Sequence, residues 1–244
     1  MRNIWTIAKR EYDHYFISPV AYVVAFAILL VLGIIFALVI YTSAQNVFYG
    51  SVPDISPITG SFAFLLVLTT PALTMRLLAD ENRMGTMELL LTSPLTDMQI
   101  ILGKFLGALV LYAAMLGVTL LYVAVLFIFG NPEWKPIATA YLGLLLLGGC
   151  FISVGMLISS FTRNQIVAGM LTFGVFLLLW IIDWIGSFLG SRGEAIVNYL
   201  SITRHFDDFA KGVIDTRHLV YYLSFITFGL FLTAKSVDSE RWRG

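Results

Sequence analysis

Residues 76–107, RLLADENRMGTMELLLTSPLTDMQIILGKFLG, form a long segment with clustered charges in a chain that is 59% hydrophobic and only 12% charged. The segment opens with acidic and basic residues and then breaks at Gly85–Thr86. Residues 87–91 follow as a short apolar, helix-like piece, which must stop before Pro94 because proline cannot continue a helix. A short helix between two long apolar runs can pass a movement on to both of them. We therefore predict that another protein contacts this short helix and moves it.

The end of this segment carries a helix start signal. Thr96 and Gln99 have the spacing of a capping box, in which the hydroxyl and the amide satisfy each other's free backbone N–H groups. We therefore predict a helix that begins here and runs through Lys104 into the next apolar run.

The composition of the chain indicates a membrane protein. Its 244 residues have a mean hydropathy of +0.87, and their charged fraction is half of the about 25% that is typical of soluble domains. The net charge of zero argues against nucleic-acid binding, which requires a basic face. The single cysteine, Cys150, excludes an intrachain disulfide. We also expect no removable signal peptide, since the first residues lack a short apolar core followed by a small-residue cleavage site.

Apolar run lengths predict an all-α polytopic membrane protein. A bilayer core about 30 Å thick needs about 20 apolar helical residues. Six runs meet or approach this length, at residues 19–41, 61–78, 105–129, 137–160, 166–189 and 219–234. The second and sixth are short, which leaves open five spans with one re-entrant or interfacial run.

The positions of basic residues predict the orientation. Of the 15 Lys and Arg residues, twice as many lie on the side that holds both termini as on the other side. Basic residues stay on the cytoplasmic side, so both termini are expected there. Residues 19–234 would form the transmembrane domain and residues 235–244 a cytoplasmic tail.

Residues 1–18 are predicted to form an amphipathic helix in the cytoplasmic interface. Ile4, Trp5, Ala8, Tyr12 and Tyr15 fall on one face at helical spacing, and Trp and Tyr favour the headgroup depth. The alternative is an ordinary cytosolic tail.

A second amphipathic segment is predicted on the outer side, at residues 190–217. Ile202, Phe206, Phe209 and Val213 recur at helical spacing, and Gly212 would end the helix. This pattern suits a helix on, or dipping into, the outer leaflet.

Small residues four apart indicate close helix packing. The pairs are Gly149/Ser153, Gly155/Ser159 and Gly103/Gly107. Packing within the chain is the expected explanation, and a subunit interface stays open.

Several kinds of chemistry have no sequence signal. The charged residue nearest to the middle of a span is Asp183, towards the outer end of the fifth, which argues against an ion-coupled transporter. His14, His205 and His218 are expected to lie far apart, on both sides of the membrane, and they offer no metal-site spacing. The chain also has no phosphate-binding loop, since Gly103-Lys104 lacks the glycine-rich lead. If the protein is driven by ATP, a partner must supply the nucleotide site.

The pattern of the 76–104 segment resembles the signature of type-2 ABC exporter permeases. The residues that carry this likeness are Glu81, Arg83, Gly85, Thr86, Glu88, Leu90, Leu91, Pro94, Gly103 and Lys104. It extends to Lys9, Arg10 and Glu11 near the N-terminus and to residues 211–215 before the last span. The full pattern is similar to the gliding-motility-associated permease subgroup, and more loosely to the permease that serves nitrous-oxide reductase maturation.

The resemblance implies a half-transporter in the bacterial inner membrane. Two six-helix permeases, of the same or a related chain, would pair, and each would place a coupling helix at residues 83–91 in a cleft of a separate ABC ATPase subunit. Residues 1–18 would be the connecting helix. ATP and Mg would sit on the ATPase, so this chain would hold no cofactor or metal and would not itself be an enzyme. The chain shows no large outer domain, so any capture outside the membrane would need an accessory protein.

Two other classes remain as alternatives. A non-transporting scaffold could use the same ATPase to act on an extracytoplasmic partner, which the scarcity of polar residues in the spans would favour. A polytopic membrane enzyme would need an acid, base or metal cluster at one face, for which the sequence gives no signal. For a transporter, a lipid or lipid-linked glycan is the cargo that best suits an apolar path.

Overall fold

The computed structural model describes residues 2–45, 55–86, 95–129, 132–186 and 201–241. Within these ranges every regular element is a helix, so the all-α prediction is confirmed. The helices are α1 (Arg2–Ile17), α2 (Pro19–Gln45), α3 (Ser56–Thr74), α4 (Ala79–Met84), α5 (Asp97–Phe129), α6 (Trp134–Ser160), α7 (Gln165–Gly186), α8 (Arg204–Ala210) and α9 (Thr216–Arg241).

Six of the described helical segments are long and apolar enough to cross a membrane, which confirms the predicted six spans. The two runs that were short in sequence gain length because helix continues past the apolar core. α3 begins at Ser56, and α9 continues through residues 235–241, which the sequence assigned to a tail.

The centre of the fold is α6, which packs against α3 and α9. In its most apolar 18-residue stretch, 67% of the residues are buried within the chain. The corresponding fractions are 11% for the first span and 17% for the fifth. Small residues allow this packing: a Cβ at Gly155 would overlap Thr74 on α3, and one at Gly149 would lie 3.0 Å from Ile226 on α9. The small-residue pairs of α6 therefore bring helices of the same chain together, as expected.

The segment at residues 190–217, which was predicted to be amphipathic and to lie on the outer side, is described only in part. α8 has seven residues, and residues 190–200 of the predicted segment lie outside the described ranges. Phe206 and Phe209 are buried, and a Cβ at Gly143 of α6 would overlap Phe209. The buried aromatic side chains of α8 thus pack on α6. The chain does turn after α8 at Gly212, whose φ of +90° favours glycine.

Candidate functional site

The polar segment after α3 begins with a break in the helix. Pro71 lies inside α3, and the helix ends at Thr74. Side chains from two distant helices satisfy the backbone groups that the break leaves free. Tyr15 of α1 donates its hydroxyl to the Leu73 carbonyl at 2.7 Å, and burial raises the pKa of Tyr15. Ser159 of α6 accepts from the backbone N–H groups of residues 78 and 79 at 3.2 and 3.0 Å.

The helix α4 follows this break and ends at Gly85. That glycine has a φ of +69°, a left-handed conformation that ends a helix at little cost for glycine. The predicted break at Gly85–Thr86 is thus present, and Arg83 belongs to α4. Residues 87–91 of the predicted coupling helix lie outside the described ranges. Four of the predicted contact residues lie outside the described ranges: Glu88, Leu90, Leu91 and Pro94.

The helix α1 lies against the foot of α5. A Cβ at Gly103 would lie 2.6 Å from the Ile7 Cβ, and one at Gly107 would lie 2.7 Å from the Glu11 Cβ, so these two glycines let the backbones approach. The Gly103/Gly107 pair therefore packs helices within the chain. The buried face of α1 differs from the prediction, because Glu11 is part of it while Trp5 is 67% exposed.

The start of α5 has half of the predicted capping box. The Gln99 backbone N–H donates to Thr96 Oγ1 at 3.4 Å, but Gln99 Oε1 is buried and has no hydrogen-bond partner in the described ranges. The prediction of where α5 begins is nevertheless confirmed, and the helix continues through Lys104 as expected.

Lys104 is the centre of a group of charges that we call the Lys104 cluster: the buried Lys104 of α5, Glu11 of α1 and Glu81 of α4, with the exposed Arg10 of α1 at their edge. Lys104 Nζ lies 2.8 Å from Glu11 Oε1 and 2.9 Å from Glu81 Oε1, and the Lys104 side chain is only 2% exposed. Arg10 Nη2 lies 3.4 Å from the same two carboxylate oxygens. One ammonium group thus joins three helices that are distant in the sequence.

The electrostatics of the cluster depend on all of its members. Burial by itself would raise the pKa of Glu11, but Lys104 and Arg10 outweigh burial and hold that pKa below its ordinary value of 4.5. A buried charge that loses its partner typically costs about 3–5 kcal/mol. Any movement of α4 that kept these contacts would therefore carry α1 and α5 with it.

Residues that were predicted to couple the chain to an ATPase occupy two kinds of position in the structure. Glu81, Gly103 and Lys104 are buried at the meeting of α1, α4 and α5, so they are not a solvated loop face. Arg83 and Lys9 are exposed on the surface next to them. The first group holds the helices together, and the second is available to a partner.

Two residue groupings were missed from the sequence. One is the convergence of Glu11 with Glu81 on Lys104. The other lies at the opposite end of the fold and involves His205 and His218, which were expected to be far apart. Their ring centroids are 4.8 Å apart. His218 Nε2 also lies 2.7 Å from Asp208 Oδ2. Within the described residues, no group of His, Cys, Asp and Glu side chains is suited to hold a metal ion.

A family model described as ABC-2 family transporter protein matches residues 6–234, which is nearly the whole chain. None of the curated proteins matches it.

Proposed function

We infer the function from the family, because this chain belongs to the ABC-2 transporter family. It is a multi-pass membrane protein and a permease subunit of an ABC transporter. We propose that it is half of an exporter of the gliding-motility-associated kind: two permeases, of the same or a related chain, work with a separate ATPase subunit that binds ATP and Mg. This chain would then have no nucleotide site of its own.

The observation that supports coupling to an ATPase is the position of Lys104. It lies near the start of α5, a 33-residue helix that includes a candidate span, and it binds Glu81 of α4 directly. Gly85 and the contact segment at residues 86–94 come straight after α4 in the sequence. A push on that segment would reach α4 first and would pass through one buried ammonium group to α5.

The helix α1 would act as the support for this movement. Glu11 holds the other side of Lys104, and Gly103 and Gly107 keep α1 within backbone distance of α5. Since α1, α4 and α5 share the Lys104 cluster, closure of the ATPase would move them as one unit. The exposed Arg83 and Lys9 and the predicted contact residue Glu88 would meet the ATPase.

This proposal requires the Lys104 cluster to face the cytoplasm, with both termini on that side of the bacterial inner membrane. Thiol labelling of single-cysteine variants tests it. The only native cysteine, Cys150, is buried and gives little background. A membrane-impermeant maleimide should label Lys135→Cys in intact cells, and should label Arg83→Cys only after the membrane is permeabilised. Labelling of Arg83→Cys in intact cells would contradict the proposed orientation and with it the ATPase coupling.

The scarcity of free polar groups within the described spans favours an apolar cargo. Several buried hydroxyls donate back to a carbonyl three or four residues earlier in their own helix, namely those of Thr74, Thr119, Ser153, Thr172 and Thr233. These buried hydroxyls are thereby satisfied within their own helices. We propose a lipid or lipid-linked glycan as the cargo because the six candidate spans are strongly apolar. Stimulation of ATP hydrolysis by such lipids is the expected result.

The same observation favours a second function, a scaffold that passes ATPase movement to an extracytoplasmic partner without transport. Reconstitution separates the two functions. A scaffold would hydrolyse ATP with its ATPase subunit, but no lipid cargo would change the rate.

A further inference from the structure

A cleft of about 470 Å³ lies beside the Lys104 cluster, between α1 and the junction of α3 and α4. Its lining is rich in charged side chains, which include Arg10, Glu11, Arg76, Asp80 and Glu81. Coupling to an ATPase uses the cluster but leaves Arg76 and the cleft itself without a role.

Most of the charge around the cleft is already neutralised within the protein. Lys104 and Arg10 both contact the same oxygens of Glu11 and Glu81, so two cations balance two carboxylates. What remains in the cleft is the guanidinium of Arg76, the carboxylate of Asp80 and the ring of His14.

The guanidinium of Arg76 has one unsatisfied donor. Its Nη1 donates to Ser18 Oγ at 2.6 Å, while its Nε is buried and finds no acceptor among the described residues. Arg76 makes no ion pair in the described part of the chain. Buried polar groups in proteins are nearly always hydrogen-bonded, so an unsatisfied arginine in a cleft points to a missing acceptor. The planar fork of an arginine suits phosphate, which it binds through two hydrogen bonds.

The surroundings of Ser18 place this cleft near the lipid headgroups. Ser18 lines the cleft directly before α2, the first span, begins at Pro19. Its neighbours in the chain include exposed apolar side chains, with Ile17 at 81% and Tyr22 at 56% exposure. Tyr and Trp side chains at the end of a span typically lie at the depth of the headgroups.

We propose that this cleft binds a phosphate group, with Arg76 as the principal ligand and Ser18 beside it. The phosphate would come from the headgroup of an anionic lipid or from a soluble phosphate compound. Asp80 opposes the anion and weakens binding. The assignment of such a lipid to the inner leaflet rests on the orientation in the proposed function, whereas the site itself does not.

Melting of the purified full-length chain in detergent tests the proposal, because a ligand that binds the folded state raises the melting temperature in a concentration-dependent way. Three probes separate the sources: dioctanoyl phosphatidylglycerol, dioctanoylglycerol with the same chains and no phosphate, and inorganic phosphate. Stabilisation by phosphatidylglycerol alone identifies a lipid, and equal stabilisation by inorganic phosphate identifies a soluble source. Equal stabilisation by dioctanoylglycerol, or no stabilisation by any probe, would overturn the proposal.

Charge variants show whether Arg76 is the ligand. Arg76→Gln should raise the dissociation constant by roughly tenfold to a hundredfold, as for a hydrogen bond to a charged group. Arg163→Gln removes an exposed arginine from the turn between α6 and α7 that does not line the cleft, and it should leave the constant unchanged. Equal weakening by both variants would mean general attraction between charges and would overturn the site.

If Arg76→Gln does not fold, a second variant that is expected to tighten phosphate binding keeps the test decisive. Asp80→Asn removes the opposing carboxylate and should tighten binding by up to about fivefold, in the range of partly exposed charge interactions. An unchanged constant in Asp80→Asn, together with a non-folding Arg76→Gln, would contradict the proposal. These measurements need neither the ATPase nor a known orientation, so their failure is separate from a failure of the proposed function.

Discussion

Lys104 Nζ lies 2.8 Å from Glu11 Oε1, although the two residues are 93 positions apart in the sequence. The same nitrogen lies 2.9 Å from Glu81 Oε1. A single buried ammonium group therefore fastens the N-terminal helix and the helix before the contact segment to the foot of α5.

Removal of this ammonium group should be costly. Lys104→Met leaves the carboxylates of Glu11 and Glu81 buried without their main partner, and we expect a loss of about 3–5 kcal/mol of unfolding free energy. Titration of the purified protein with a denaturing detergent measures it. Lys235→Met is the matched control, because Lys235 is exposed and its contact with Asp238 is 3.5 Å long. That variant should lose at most about 1 kcal/mol. Similar losses in the two lysine variants would contradict the role of the cluster.

Protonation of Glu11 at acidic pH should lower the stability of the folded protein. Because the folded state holds the pKa of Glu11 below its ordinary value of 4.5, the stabilisation from this carboxylate is complete above pH 4.5. It is lost as the pH falls through the lower pKa of the folded state, where Glu11 takes up a proton. The melting temperature of wild type should thus fall in this window more steeply than that of Glu11→Gln. Glu133→Gln, a change at an exposed glutamate, should keep the wild-type slope. A Glu11→Gln profile that parallels wild type would refute the prediction.

Gly103 should not tolerate a methyl group. In Gly103→Ala the new Cβ would lie 2.6 Å from the Ile7 Cβ and 3.1 Å from the Ile4 carbonyl oxygen, so α1 must move away from α5. We expect a loss of about 1–3 kcal/mol of unfolding free energy, as for other overpacked contacts. Gly117 is on the same helix with nothing within 4 Å of a new Cβ. Gly117→Ala should therefore be neutral, or stabilising by about 0.5–1 kcal/mol from the helix preference for alanine. If both variants lose stability equally, α1 is not packed on α5 as described.

The spans were predictable because their signal is local. Twenty apolar residues in a row can be counted without knowledge of neighbours, and this count gave six spans. The start of α5 was predictable for the same reason, since a capping box lies within four residues.

The Lys104 cluster was not predictable because its contacts are long-range. Helical periodicity states which side chains share a face, but not which helix that face meets. One signal was present: Glu11 lies at helical spacing between Ala8 and Tyr15, so a charge interrupts an apolar face. Such a residue needs a partner, yet only the packing of α1 on Gly103 and Gly107 shows that the partner is Lys104.

The central claim is that an ATPase subunit binds the segment after α4, and co-purification tests it most directly. Tagged protein would be purified from its host membranes in mild detergent, and the eluate assayed for Mg-dependent ATP hydrolysis. Wild type should carry an ATPase, and Glu88→Arg should lose it while keeping the wild-type melting temperature. Glu133→Arg, the same change at an exposed site before α6, should keep the ATPase. Absence of ATP hydrolysis with wild type, or equal amounts with Glu88→Arg, would contradict the account.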